Sequence, residues 1–365
     1  MKIGILTSSR ADYGIYLPLL DKLKNDDFFE LEIIVFGTHL SKEHGYTISD
    51  IKKDNYKKIH EIKSLIEDDS KKGIVISYGT TVFKFAEFWK NNKYDLVFSL
   101  GDRFEMSAAV QSSIPFGIKL AHIHGGETTL GAIDNIYRHQ ITLASDIHFV
   151  TTTKNKLKVK SLKGNIKKIY NVGSLSLNNI DKFQPIDKLI FFNNFKIPNA
   201  PFVLVTFHPE TVSVNNNLSY VKEIKSALFS LSKKINIIIT MPNADTLGSL
   251  YRKELKDLKI KNPNTIFLIE NFGKINYFNA MHYAEILIGN TSSGIIEAAS
   301  FKKYVINVGD RQKGRTFGKN VYNVKFKSKD IINLTYNLLN KNDFNGSNIY
   351  FKNDSADRII KILKK

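Results

Sequence analysis

The 365-residue sequence contains no cysteine. That excludes disulfide staples, thiolate catalysis and cysteine-based zinc sites, and it fits a reducing cytoplasm, where the chain is expected to reside. Long apolar runs are missing too. Nothing approaches the roughly 20 residues of a membrane helix, so no membrane partner is expected. Residues 1–7 are too short an apolar stretch for a secretory signal and read as a buried first strand. The dinucleotide fingerprint GxGxxG is lacking, which disfavours a nicotinamide cofactor; no cofactor is expected. There is no repeat at solenoid period and no low-complexity tract beyond an enrichment in Lys and Asn. Acidic residues are few against basic ones, 35 to 53, for a formal charge of +18. Nucleic acid would need the cations on one face or stripe. Here they scatter, as in Lys52-Lys53, Lys57-Lys58, Lys71-Lys72 and Lys233-Lys234. A solvated lysine-rich surface and a phosphate-bearing small substrate explain the excess without a nucleic-acid partner.

What is present suffices for large cores: 42% hydrophobic and 12% aromatic residues. The length exceeds that at which one core stops growing, so two domains are expected. Short β-branched runs alternate with longer amphipathic stretches, the pattern of parallel sheets wrapped by helices. Strands are predicted at 2–9, 31–37, 96–101, 119–124, 147–151 and 169–173, then at 202–208, 236–241, 265–269, 286–289 and 305–308. Helices such as 17–23 and 218–233 fill the gaps. The Asn- and Pro-punctuated stretch 174–201 marks the boundary. Residues 1–175 form one Rossmann-like domain, 176–345 a second, and 346–365 a helix that packs back on the first. Two such domains place a ligand cleft where the carboxyl ends of their sheets face each other, so functional residues should lie just after strands.

They do. Ser8-Ser9-Arg10-Ala11-Asp12-Tyr13-Gly14 follows the first strand and opens a helix, where free N–H groups and a guanidinium suit a phosphate; Ser9 and Asp12 could equally serve as plain caps. Gly101-Asp102-Arg103 ends another strand, and its neighbouring charges could simply pair with each other. The densest cluster is His122-Ile123-His124-Gly125-Gly126-Glu127-Thr128, followed by Asp134 and Arg138-His139. Alternation puts His122 and His124 on one face of a strand. Acid and base groups crowded beside a cation are how working pKa values are produced. HxH without a third ligand at sensible spacing does not make a metal site. In the second half, Phe207-His208-Pro209-Glu210-Thr211, Met241-Pro242-Asn243, Gly289-Asn290-Thr291-Ser292-Ser293-Gly294 with Glu297, and Gly309-Asp310-Arg311-Gln312-Lys313-Gly314-Arg315 each follow a strand. Small hydroxyls entering a helix beside several cations describe a nucleotide diphosphate site.

These motifs, in this order and over nearly the whole chain, resemble the UDP-N-acetylglucosamine 2-epimerase family. Within it the chain is most similar to the hydrolysing branch that supplies N-acetylmannosamine for bacterial sialic acid synthesis. The resemblance implies two Rossmann-like domains, the GT-B arrangement that one class of glycosyltransferases also uses. It implies loss of the C2 proton as UDP departs, then addition of water to the 2-acetamidoglucal. By motif match, Asp102, Asp134 and Glu127 are the carboxylates, His208 is a further catalytic candidate that also contacts the diphosphate, and Arg10, Arg103 and Arg311 contact the diphosphate with it. Asn243, Thr291, Ser292, Ser293 and Glu297 match the nucleotide pocket. Ala11, Gly14, Arg138, His139 and Arg315 fall in the same binding motifs, and His39 matches a sugar-side histidine. Many relatives, the animal enzyme included, carry a catalytic glutamate immediately before the Gly-Gly. Here it is His124, as in the bacterial sialic acid branch, and imidazole can also work as acid or base near neutrality. The division of roles among His124, Glu127 and Asp134 stays open. So do a UDP-2,4-diacetamido-trideoxy sugar as substrate, a non-hydrolysing epimerase, a glycosyltransferase and a non-catalytic nucleotide-sugar binder. The expected partner is a UDP-sugar, in a homo-oligomer, dimer or tetramer.

Overall fold

The structure, a computed structural model, describes residues 1–43, 45–165, 167–212, 214–242 and 247–365. It divides into two compact units. The first comprises Met1–Glu127, Ile133–Asn178 and Tyr350–Lys365; the second comprises Thr128–Ala132 and Asn179–Ile349.

In the first unit seven strands form one parallel sheet: β1 (Lys2–Thr7), β2 (Glu30–Phe36), β3 (Ile59–Ile62), β4 (Leu96–Leu100), β5 (Leu120–Ile123), β6 (Ile147–Val150) and β7 (Ile169–Asn171). Their order is β3-β2-β1-β4-β5-β6-β7. The inner strands β1, β2, β4 and β5 are buried on both faces, which is why they read as unbroken apolar runs. The sheet reverses its winding between β1 and β4. In open α/β sheets a ligand crevice opens at that point, beyond the strands' carboxyl ends.

The second unit repeats the plan with β8 (Phe202–Thr206), β9 (Asn236–Thr240), β10 (Ile266–Ile269), β11 (Leu287–Gly289), β12 (Val305–Val308) and β13 (Val321–Val324), all parallel, in the order β10-β9-β8-β11-β12-β13. Its switch point lies between β8 and β11. Strands β3 and β13 were not predicted. Both are edge strands with no fully buried residue; His60 is half-buried and Glu61 and Asn323 are exposed, so they lack the apolar signature of the centre.

The last helix, Ser355–Leu363, buries Ala356 and Ile359 in the first unit's core. Ion pairs Lys22–Asp357 (2.9 Å) and Lys364–Asp26 (2.6 Å) flank it. The Asn178 side chain accepts from the Ala356 N–H at 3.0 Å. No helix of the described residues is long and apolar enough to cross a membrane.

Candidate active site

At the first switch point the turn after β1 enters the helix Arg10–Lys24. Ser9 caps it, and Asp12 closes a capping box. The Asp12 carboxylate accepts from the Ser8 and Ser9 N–H groups, both at 2.8 Å, and from both serine hydroxyls. Buried and occupied in this way, Asp12 shapes the turn. Arg10 and Ala11 are exposed and Gly14 is half-buried at the start of this helix. His39, the histidine that the resemblance sets beside the sugar, follows β2. It is fully buried, with Nε2 against Thr7 Oγ1 (2.9 Å) and Nδ1 against Thr47 Oγ1 (2.7 Å). Both nitrogens thus serve the fold. Burial lowers its pKa, Asp12 opposes the shift, and the charges of Arg10 and Arg103 add to it, so the turns after β1, β2 and β4 converge.

Asp102 and Arg103 do not pair with each other. Arg103 turns to the buried Glu105 in a two-pronged bond, Nη2–Oε1 2.9 Å and Nε–Oε2 3.2 Å. That fixes its fork while the side chain keeps 23% exposure. Asp102 is bound by the buried Arg138, which also donates to the Glu127 carbonyl at 3.0 Å. One guanidinium therefore ties the end of β4 to the turn after β5.

The expected shared face of His122 and His124 is not found. β5 ends at Ile123, and His124 adopts a left-handed backbone, φ 66°, which breaks the alternation. His122 is fully buried, and its Nε2 donates to the Gly101 carbonyl at 2.9 Å. Burial, with smaller repulsions from His148, Arg138 and His124, lowers its pKa to about 3. The ring is therefore neutral, and its Nδ1 accepts from Thr142 Oγ1 at 3.1 Å. His122 props the Gly101 turn. His124 instead faces Glu127, Nδ1 to Oε1 3.7 Å, with Ser174 Oγ 3.4 Å from Nε2. Glu127 is buried and accepts from Thr151 Oγ1 at 3.0 Å, itself held by Asn155 at 2.8 Å. Asp134 begins the helix Asp134–Ala144, half-buried, near enough to Tyr137 to help raise that phenol's pKa. Burial lowers the His139 pKa, with smaller repulsions from Arg138 and from Lys158 on the helix Thr153–Lys163. The cluster that comes together is thus Asp102, Arg138, Glu127 and His124, with His122 behind it.

In the second unit, Asn290 clamps His208 by its backbone: Oδ1 accepts the His208 N–H and Nδ2 donates to its carbonyl, each at 2.8 Å. Gly289 permits this, since a Cβ there would strike the Thr206 backbone. Glu210, quoted in a motif but given no role by the sequence, organises the cationic loop. Its Oε1 accepts from the N–H groups of Asp310 (2.6 Å) and Arg311 (3.1 Å). Arg311 donates to the Pro209 carbonyl at 3.0 Å, Gln312 to the Asn290 carbonyl at 2.9 Å, and Arg315 Nε to Gln312 at 2.9 Å. The only sequence cue for Glu210 was an acidic residue just beyond a strand end.

Thr291 caps a helix of five residues, Ser292–Ile296, with its hydroxyl on the Gly294 N–H. Such a helix has little dipole, so the expected dipole contribution is small. Glu297 follows that helix and accepts from Ser293 Oγ at 2.6 Å. Lys274 and Tyr277, on the helix Gly273–Tyr283, were missed by sequence reading. Burial lowers the Lys274 pKa to about 8 against the pull of Glu297, and the Tyr277 hydroxyl reaches Ser293, Thr206 and Thr291. A small cavity lined by Thr206, Tyr277, Gly289, Thr291 and Gly294 opens here. Asn243 lies outside the described residues. Among the described residues, no group of three or more His, Asp or Glu side chains is arranged to hold a metal.

Two doubly wound parallel sheets, each with polar loops at its switch point, make this a tandem Rossmann-like protein of the GT-B type. Residues 21–364 match the family model for UDP-N-acetylglucosamine 2-epimerase, and the chain belongs to that family. It is 34% identical to a GDP/UDP-N,N'-diacetylbacillosamine 2-epimerase (hydrolyzing) of Campylobacter jejuni, over 90% of this chain and 85% of that one. It is 33% identical to polysialic acid biosynthesis protein P7 of Escherichia coli, over 100% of this chain and 93% of the relative. In fold it resembles the UDP-GlcNAc 2-epimerase of Neisseria meningitidis solved with UDP-GlcNAc. There the TM-score is 0.82 and the identity 18%, with each chain covered in full.

Proposed function

We propose that the chain is a hydrolysing 2-epimerase that converts UDP-N-acetylglucosamine to N-acetylmannosamine and UDP. The observation that carries this reading is the cluster beyond β4 and β5, where Asp102, Arg138, Glu127 and His124 are linked in one network. Elimination needs a base for the C2 proton while the C1–O bond breaks, and hydration needs an acid and a base for water. Asp102 is the partly open carboxylate, oriented by Arg138. His124 and Glu127 form an imidazole–carboxylate pair that can relay a proton, and Asp134 stands at the head of the adjoining helix. Arg10 and Arg103 offer cations to the departing diphosphate. In the second unit His208, Arg311 and Arg315 contact the diphosphate. Thr291, Ser292, Ser293, Asn243 and Glu297 take the nucleoside, with Glu297 on the ribose hydroxyls.

A second reading has a specific observation in its favour. The Campylobacter relative is named for a diacetylated bacillosamine sugar, so UDP-2,4-diacetamido-2,4,6-trideoxyglucose is the alternative substrate. The polysialic acid relative favours the first. Incubation with each sugar nucleotide in heavy water, followed by NMR, decides between them. We expect free N-acetylmannosamine with deuterium at C2, and activity retained in excess chelator. Turnover of the diacetamido sugar alone would select the second reading, and product without deuterium would remove the elimination route. Binding without turnover would leave a nucleotide-sugar binder. On this reading the enzyme is cytoplasmic and a homo-oligomer. Exposed apolar side chains on the first unit support association, among them Val75, Phe83, Ile114, Phe116 and Ile136.

A further inference from the structure

The chain leaves the first unit after Glu127, runs through the second as Thr128–Ala132, and re-enters the first at Ile133. This five-residue excursion separates two of the proposed carboxylates, Glu127 and Asp134. Within the second unit it is fastened to the loop 309–315. The Leu130 N–H donates to the Lys313 carbonyl at 2.8 Å. Gly131 lies so close that a Cβ would overlap the Asp310 carbonyl and come within 2.7 Å of Arg311 Cα. From the other side, Gly314 has φ +89°, and a Cβ there would stand 2.7 Å from Thr128 Cγ2 and 3.4 Å from Leu130 Cγ. The excursion closes on itself through the Ala132 N–H to Thr129 carbonyl bond, 3.1 Å.

Both ends of this arrangement are held by hydrogen bonds within their own units. The loop is pinned by Glu210 through two N–H groups and by Gln312 to the Asn290 carbonyl. Glu127 is pinned by Thr151 and, through its own carbonyl, by Arg138, which holds Asp102. The backbone path from the loop to Glu127 on one side and Asp134 on the other runs through these five residues. We infer that Thr128–Ala132 is a positioning strap. When the loop 309–315 engages a diphosphate, the strap sets the placement of the carboxylates on either side of it, so nucleotide occupancy and acid–base geometry are coupled through the backbone.

The inference rests on the nucleotide reading of that loop, and the experiment separates the two. Full-length wild type and Gly131→Ala are titrated with UDP by calorimetry. Hydrogen exchange is followed by mass spectrometry with and without saturating UDP, and kcat and KM are measured per folded molecule. In wild type, UDP should slow exchange in residues 309–315 and also in 124–138. In Gly131→Ala, the UDP dissociation constant and the protection of 309–315 should persist while the protection of 124–138 is lost. Its kcat should fall by about a hundredfold, the scale of an ångström-sized misplacement, with KM little changed. Protection in wild type confined to 309–315, or an undiminished kcat in Gly131→Ala, would overturn the strap. Wild type that fails to bind UDP would instead bring down the nucleotide reading beneath it. Should Gly131→Ala not fold, Leu130→Pro deletes the N–H that reaches Lys313 and carries the same comparison.

Discussion

At Asp102 one carboxylate is bound on one side and open on the other. Arg138 is buried and holds it, yet the Asp102 side chain keeps 27% exposure. The Asp102→Asn variant should therefore lower turnover by about a hundredfold, the usual scale for losing a general acid or base. UDP affinity should stay nearly unchanged, because the carboxylate is proposed to serve the sugar. Melting temperature should fall as well, since a buried guanidinium loses a charged partner. Turnover per folded molecule is the deciding quantity, and a normal value would reduce Asp102 to a counter-ion for Arg138. The residues of this cluster were legible because charged groups gathered around a Gly-Gly turn have no packing rationale. Their partners were not. Neighbours in a turn point apart, so Arg103 left Asp102 for Glu105. Strand alternation could not foresee the left-handed backbone at His124.

Among the elements, β5 and β6 carry a pair of buried imidazoles in register, His122 opposite His148. Burial lowers the His148 pKa from 6.5 to about 4, and His122 lies lower still, near 3. Above pH 6.5 these rings are neutral in both folded and unfolded chains and add no pH dependence. As pH falls from 6.5 toward about 4, the unfolded chain takes up protons that the folded one refuses, and stability is lost over that window. Between about pH 7 and about pH 5 the loss from His148 alone should be on the order of 2 kcal/mol. Denaturant melts at about pH 7 and about pH 5 should show it, and His148→Phe should make the decline shallower; equal declines would mean the ring is not held neutral. The central strands were legible from composition because burial on both faces demands unbroken apolar runs. β3 and β13 were hidden because an edge strand meets solvent and keeps polar residues such as His60 and Asn323.

At the scale of the whole molecule, the last helix belongs to the first unit's core. Removing residues 350–365 uncovers the surface that Ala356 and Ile359 fill and deletes the Lys22 and Lys364 ion pairs. Differential scanning calorimetry of that truncation should show the first unit weakened by roughly 3–5 kcal/mol of lost apolar burial, with the second unit's transition in place. A single unshifted transition would mean that the helix only decorates the surface. The same arrangement orders events on the ribosome. Apart from its five-residue strap, the second unit is one continuous stretch, and it can complete its sheet as soon as residue 349 has emerged. The first unit begins earlier and finishes later, since its core waits for Ile359. During synthesis the segment that completes the amino-terminal unit therefore emerges only after the whole of the second unit.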